Sequence, residues 1–321
     1  MGGEIFWIVV GLVMILYGAD RLTEGSASIA RRMGLSDLMV GLTVISFGTS
    51  APEFVISLMS ACNGAAPLAV GNVVGSNIFN VLAIIGVTAL VRPLVIERTT
   101  LTAEIPLMVL SSAVLLVMGN GVLLNGDTGE LITRSNGIIL LLFFIIFLWY
   151  TLRQAKSSNE KPSTPREENE MPIWKAVLFT LLGLALLVYG GDRFVAGASG
   201  LAGRMGVSDA VVGLTIAAAG TSLPELAASV VAAVKGRPGM AVGNVIGSCI
   251  FNAFFVLGTS AVVTPLTLGS IGNFDLLTLF GASLLFWLFG WIIGHRTITR
   301  GEGALLTALY IAFMVVTVIR A

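Results

Sequence analysis

Apolar residues in this chain run in long blocks rather than in alternation with polar ones, which points to helices surrounded by apolar solvent. Ten blocks, at roughly 4–20, 36–61, 68–91, 103–120, 135–152, 172–191, 208–233, 240–263, 274–294 and 301–320, approach or exceed the ~20 residues needed to cross ~30 Å of hydrocarbon. The one sustained polar stretch, KSSNEKPSTPREENEMP at 156–172, holds seven charges and three prolines without periodicity. Such a segment buries too little to fold and reads as a flexible linker. The chain therefore divides into residues 1–155, a linker at 156–171, and residues 172–321, with five predicted spans on each side.

Composition agrees. Of 321 residues 56% are apolar and 11% charged, whereas a soluble domain carries about 25% charged residues. The expected solvent is a lipid bilayer, which excludes a soluble enzyme, a nucleic-acid binder and a disordered scaffold. Positive and negative side chains balance at 18 each, so there is no basic field for polyanions. Cys62 and Cys249 lie in apolar runs and imply no disulfide framework. Glu4 stands where a signal peptide would have basic residues, so the first segment is expected to be retained.

The two halves repeat. At a shift of 172 residues, positions 17–80 align with 189–252 without a gap, and 33 of 64 pairs are identical. An odd number of spans per half makes the second half enter the membrane inverted relative to the first. That is the plan of secondary transporters whose ion site lies near the midplane between halves. With the N-terminus outside, fourteen Lys and Arg fall in inner loops and four outside, a positive-inside bias. Both termini are thus expected outside and the linker in the cytoplasm, in the cell membrane.

Most carboxylates lie at span ends or in loops. Glu53 and Glu225 lie deep in apolar spans and are related by the repeat. A carboxylate at the bilayer centre costs about 2.5–3.5 kcal/mol on insertion scales, so its default reading is functional. Two converging carboxylates repel unless a cation or protons neutralise them. Each closes a Gly-Thr-Ser-x-Pro-Glu segment, Gly48 to Glu53 and Gly220 to Glu225. The proline should break or kink the helix and free carbonyls beside the hydroxyls of Thr49, Ser50, Thr221 and Ser222. Hydroxyl, carbonyl and carboxylate oxygens are hard donors suited to Na⁺ and Ca²⁺.

The next span of each half carries Gly71-Asn72-Val73-Val74-Gly75-Ser76-Asn77-Ile78-Phe79-Asn80, matched by Gly243-Asn244-Val245-Ile246-Gly247-Ser248-Cys249-Ile250-Phe251-Asn252. Ser76 and Asn80, like Ser248 and Asn252, share a helix face. The glycines read as a small-residue packing seam. Asn80 and Asn252 read as ligands or as groups that orient ligands. Cys249 opposite Asn77 breaks the symmetry, so neither is expected to be an indispensable ligand. Asp20-Arg21 and Asp192-Arg193 read as local ion pairs at span mouths, and His295, the only histidine, as an interfacial residue.

Together the two Gly-Thr-Ser-x-Pro-Glu segments, each followed by Gly-Asn-x-x-Gly-Ser-x-Ile-Phe-Asn, resemble the α-repeats of the cation/Ca²⁺ exchanger superfamily, in its Na⁺/Ca²⁺ exchanger branch. The resemblance implies four cation sites between spans 2, 3, 7 and 8. Glu53, Glu225 and the backbone of Thr49 and Thr221 would hold Ca²⁺. Ser50, Ser76 and the carbonyl of Ser46 would join Glu53 around an inner Na⁺. Ser222, Ser248 and the carbonyl of Ala218 would join Glu225 around an outer Na⁺, with Asn80 and Asn252 flanking the middle. Spans 1 and 6 would slide across this core. K⁺-dependent relatives carry Asp at the position of Asn252, which argues against K⁺ co-transport.

The sequence thus predicts an all-α integral membrane protein of ten helices, two inverted five-helix repeats with helices 2, 3, 7 and 8 broken. The expected activity is Na⁺/Ca²⁺ antiport, electrogenic and K⁺-independent, by a monomer with no cofactor. H⁺/Ca²⁺ antiport is the alternative within the class; a cation channel and a non-transporting scaffold are alternatives outside it.

Overall fold

In the computed structural model, residues 2–126, 129, 131–157, 171–205, 218–269, 271–293 and 296–320 are described. They form an almost entirely helical fold. Helix α1 covers Gly2–Met33, α2 Asp37–Thr49, α3 Ala51–Cys62, α4 Ala66–Val91, α5 Arg98–Met118 and α6 Arg134–Ser157. In the second half α7 covers Ile173–Arg204, α8 Leu223–Val234, α9 Pro238–Val263, α10 Asn273–Trp291 and α11 Arg300–Arg320. Among the described residues eight helices are long and apolar enough to cross a membrane, and the bent pair α2 and α3 makes a ninth. The N-terminal part of the span predicted at 208–233 lies outside the described residues; its C-terminal part is α8, preceded by a helical turn at Ala218–Gly220. His295 and nearly all of the linker also lie outside them.

The first span of each half is longer than its apolar block suggests. Helices α1 and α7 each have 32 residues, about 48 Å at 1.5 Å per residue, against the predicted 4–20 and 172–191. Charge does not end α1 at Asp20 because that charge is paired: Asp20 meets Arg21 at 2.7 Å and Lys235 at 2.5 Å, while Arg21 meets Glu24 at 2.9 Å. Asp192 and Arg193 form the equivalent local pair. The sequence expectation of local pairs holds, with Lys235 as an added partner from the end of α8.

Helices α1 and α7 run antiparallel in backbone contact. Glycines recur every seven residues on both, at 11, 18 and 25 and at 183, 190 and 197, and the two sets are repeat counterparts. A Cβ on Gly18 would sit 2.9 Å from the Gly183 carbonyl; one on Gly183 would sit 2.5 Å from the Leu22 nitrogen. Small residues at two-turn spacing are what allow such an approach between membrane helices.

Helices α4 and α9 form the centre. Both are largely buried along their length, and α9 packs on α2 with Gly243 and Gly247 at the contact. A Cβ on Gly243 would lie 2.5 Å from the Leu38 carbonyl, and one on Gly247 2.5 Å from the Leu42 carbonyl. This confirms the packing reading for those glycines. The segment equivalent to that part of α2 in the second half lies outside the described residues, so the reading for Gly71 and Gly75 is not tested. Around this centre an aromatic cluster of Phe47, Phe144, Phe251 and Phe255 joins α2, α6 and α9.

Two short antiparallel bridges tie the halves together. Strand β1, Leu94–Val95, pairs with β4, Thr297–Ile298, and β2, Leu131–Ile132, pairs with β3, Leu266–Thr267. Each joins residues of the first half to residues of the second.

The expectation of four broken helices needs correction. Helices α2 and α3 meet at a 47° bend, and Thr221 and Ser222 interrupt the helix before α8. In contrast α4 and α9 are continuous. Each widens into π-helical geometry, over Phe79–Ile84 and Phe251–Val256. There the Asn80 and Asn252 carbonyls accept from the nitrogens five residues on, Ile85 and Leu257. A π turn inserts an irregularity without ending the helix and is frequent at functional sites.

Candidate cation site

The bend at Ser50 explains how a carboxylate and its neighbours are presented. Pro52 occupies the first turn of α3, where a missing N–H costs nothing. Glu53 follows in the same turn, where the helix N-terminus favours negative charge. Ser50 stands at the N-cap, yet its hydroxyl caps nothing in α3. Instead it donates to Glu225 Oε1 at 2.8 Å, and its oxygen lies 2.9 Å from Ser248 Oγ, whose hydroxyl can donate to it. Ser222, the N-cap of α8, likewise leaves its own helix and donates to Glu53 Oε1 at 3.0 Å. Each carboxylate is therefore held by a serine of the opposite repeat.

Glu53 and Glu225 are both fully buried. The second oxygen of each, Oε2, has no hydrogen-bond partner among the described residues, and neither carboxylate forms an ion pair with a described Lys or Arg. Buried charges normally require a partner. Among the described residues buried Asn80 has no nitrogen or oxygen partner for either amide atom, its neighbour being the Cys249 thiol, and buried Asn252 has none for Oδ1. Helix α3 touches the π segment of α9, and α8 touches that of α4, so the elements that carry the unpartnered carboxylates and amides are in contact. Among the described residues no cluster of three His, Cys, Asp or Glu exists. The donor set is two carboxylates with hydroxyl and amide oxygens, which suits hard cations.

The other predicted ligands take these places. Ser76 and Ser248 are buried on the faces of α4 and α9 that carry Asn80 and Asn252. Thr49 is buried and its hydroxyl lies 3.0 Å from the Ile45 carbonyl and 3.3 Å from Asn244 Oδ1. The Ser46 carbonyl accepts the Ser50 amide at 2.9 Å and the Thr49 hydroxyl at 3.4 Å. Thr221 sits in the break before α8, and Ala218 begins the helical turn that precedes it.

Sequence reasoning missed a supporting layer. Asn72 Nδ2 donates to the Glu53 carbonyl at 3.2 Å and to Ser57 Oγ at 2.9 Å. In the second half Asn244 Nδ2 donates to the Glu225 carbonyl at 3.2 Å and to Ser229 Oγ at 3.0 Å. These bonds pin the first turn of each carboxylate-bearing helix to its neighbour. The signal was present, since Ser57 and Asn72 are both identical to their repeat counterparts. A further buried carboxylate, Glu104, was also missed. It accepts from the Tyr150 hydroxyl at 3.0 Å, on helices α5 and α6 away from the repeat motifs.

Over nearly its whole length the chain is similar to known proteins. A family model described as "Sodium/calcium exchanger protein" matches residues 3–153 and 175–319. The chain belongs to the sodium/calcium exchanger family. It is 37% identical over 314 residues to the putative antiporter CaxA of Alkalimonas amylolytica, covering 96% of each chain. To the sodium/calcium exchanger MaX1 of Methanosarcina acetivorans it is 32% identical over 344 residues, covering 96% of this chain and 97% of the relative. The sodium-calcium exchanger NCX_Mj, solved after soaking with Na⁺ and Sr²⁺, superposes with a TM-score of 0.82 at 31% identity and covers 97% of each chain. As a family member the chain is a multi-pass integral membrane transporter of the exchanger class, not an enzyme.

Proposed function

We propose that this exchanger is a Na⁺/Ca²⁺ antiporter that uses the Na⁺ gradient to expel Ca²⁺, electrogenically and without K⁺. The observation that carries the reading is the pair Glu53 and Glu225, buried, each with one oxygen unpartnered and the other held by a serine of the opposite repeat. Two glutamates balance one Ca²⁺, and three Na⁺ in their place leave one surplus positive charge. Ca²⁺ is assigned to Glu53, Glu225 and the backbone of Thr49 and Thr221. One Na⁺ is assigned to Glu53 with Ser50, Ser76 and the Ser46 carbonyl, another to Glu225 with Ser222, Ser248 and the Ala218 carbonyl. Asn80 and Asn252 complete the middle as neutral amides, and their neutrality is the argument against K⁺.

Ten spans in two inverted halves, with both termini outside, complete this reading. The antiparallel contact of α1 with its repeat counterpart α7 supports the inversion. The test is radiolabelled Ca²⁺ uptake into proteoliposomes loaded with Na⁺ and diluted into choline or K⁺ medium at matched pH. Uptake should require internal Na⁺, proceed equally in choline and K⁺, and vanish in Glu53→Gln. Uptake driven only by an acid interior would replace Na⁺ with H⁺ as the coupled ion. Conductance without any counter-ion requirement would make the protein a channel.

A further inference from the structure

We propose that Asn77 is a positioning residue of the cation site, fixing the amide of Asn252 so that its oxygen, not its nitrogen, faces the cation. The inference rests on the reading of Asn252 as part of that site, and it follows from hydrogen-bond valence. Asn77 and Asn252 are both buried. One atom of the Asn77 amide lies 3.1 Å from the Cys249 backbone carbonyl. A carbonyl only accepts, so that atom is Nδ2. The other atom of Asn77 is then Oδ1, which accepts from Asn252 at 3.2 Å, so the Asn252 atom facing it is Nδ2. What remains is Asn252 Oδ1, buried and without a partner among the described residues. A backbone carbonyl, which only accepts, thus fixes the orientation of both amides.

The repeat counterpart behaves differently. Position 249 is Cys where the first repeat has Asn77, and its thiol lies 4.0 Å from the Asn77 carbonyl. A thiol is a weak donor and acceptor and cannot relay the same pattern to Asn80. Among the described residues neither amide atom of Asn80 has a nitrogen or oxygen partner, and the Cys249 thiol is the group that interacts with it. Rotation about its terminal torsion is broad and roughly two-fold, and a weakly hydrogen-bonding thiol selects poorly between oxygen and nitrogen. The site is thus asymmetric at its middle: Asn252 is held by an amide as a standing oxygen donor, whereas Asn80 faces only a weak thiol and is left more open to what is bound. Without Asn77, Asn252 would share that indifference, and a bound cation would have to select its orientation.

Equilibrium binding of radiolabelled Ca²⁺ to the purified full-length protein in Na⁺-free choline buffer tests this. Asn77→Ala should weaken binding about tenfold, equivalent to about 1.4 kcal/mol. Asn252→Ala should weaken it at least as much, and the double variant should bind no more weakly than Asn252→Ala alone, since Asn77 acts through Asn252. Asn77→Asp keeps an acceptor toward Asn252 Nδ2 and should bind within about threefold of wild type or more tightly. Additive losses, or unchanged binding in Asn77→Ala, overturn the inference. Should Asn77→Ala not fold, a tenfold loss in Asn77→Asp does so. Glu53→Gln is the reference: if the wild type binds no Ca²⁺, or Glu53→Gln binds as the wild type does, the Ca²⁺ reading fails and takes this inference with it. Loss in Glu53→Gln with no effect at Asn77 overturns the inference alone.

Discussion

Ser50 donates to Glu225 at 2.8 Å, and its repeat counterpart Ser222 donates to Glu53 at 3.0 Å, so each half of the chain completes the carboxylate of the other. A helix-capping serine ordinarily bonds to its own first turn. Here both have given up that bond, and the two bends are braced against each other instead.

Removing either hydroxyl should therefore act on cation binding. A hydrogen bond to a charged group contributes about 1.5–3 kcal/mol, so Ser50→Ala and Ser222→Ala should each weaken Ca²⁺ binding at least about tenfold. Equilibrium binding in Na⁺-free buffer measures it. A loss in only one of the two would show that the cross-bracing is not shared equally.

Not every buried glutamate should matter for transport. Glu104 is as buried as Glu53, but it is bonded to Tyr150 on α5 and α6. Glu104→Gln still accepts the Tyr150 hydroxyl through its amide oxygen, and Na⁺-driven Ca²⁺ uptake should stay within about twofold. Tyr150→Phe removes that donor and should lower stability by about 1–3 kcal/mol, read as a lower melting temperature in detergent with uptake retained. Abolished uptake in Glu104→Gln would place this carboxylate on the transport path.

What was legible in the chain follows the same division. Glu53, Glu225 and the serines before them stood out because apolar surroundings make a carboxylate conspicuous and the repeat displays it twice. Helix ends were misread where charges are neutralised within the fold: Asp20 and Arg21 look like a loop in sequence, and Lys235, which pairs with Asp20, is more than 200 positions away. The π turns at Asn80 and Asn252 leave no mark, since widening a helix by one residue needs neither Gly nor Pro. Glu104 was passed over because it stands at the edge of its apolar block, where carboxylates are usually solvated.

The glycine contact between α1 and α7 should tolerate no side chain. Gly183→Ala places a methyl 2.5 Å from the Leu22 nitrogen. Overpacking of this kind costs about 1–3 kcal/mol, against the ~1 kcal/mol that Ala gains over Gly in a helix. The melting temperature should fall and uptake with it. Gly3→Ala, with nothing within 4 Å, is the matched control and should leave both unchanged.

Lys235 should contribute little to stability despite its short contacts. It reaches Asp20 at 2.5 Å and Glu24 at 3.7 Å, but all three side chains are about a quarter or more exposed. Pairs of that kind are worth about 0–1 kcal/mol, so Lys235→Met should lower the melting temperature by no more than about 3 °C. A larger shift would mean that the tie between α1 and the end of α8 holds the fold itself.

The glycines of α1 and α7 are spaced two turns apart on both helices, and that spacing has a mechanical meaning. Displacing one helix along the other by less than a full repeat of about 10 Å would drive side chains such as Ile15 or Leu187 into the opposing backbone. Only a whole repeat restores the fit, at the loss of one contact level. The two helices therefore behave as a single strut spanning both halves of the molecule: one half cannot move its helix without carrying that of the other.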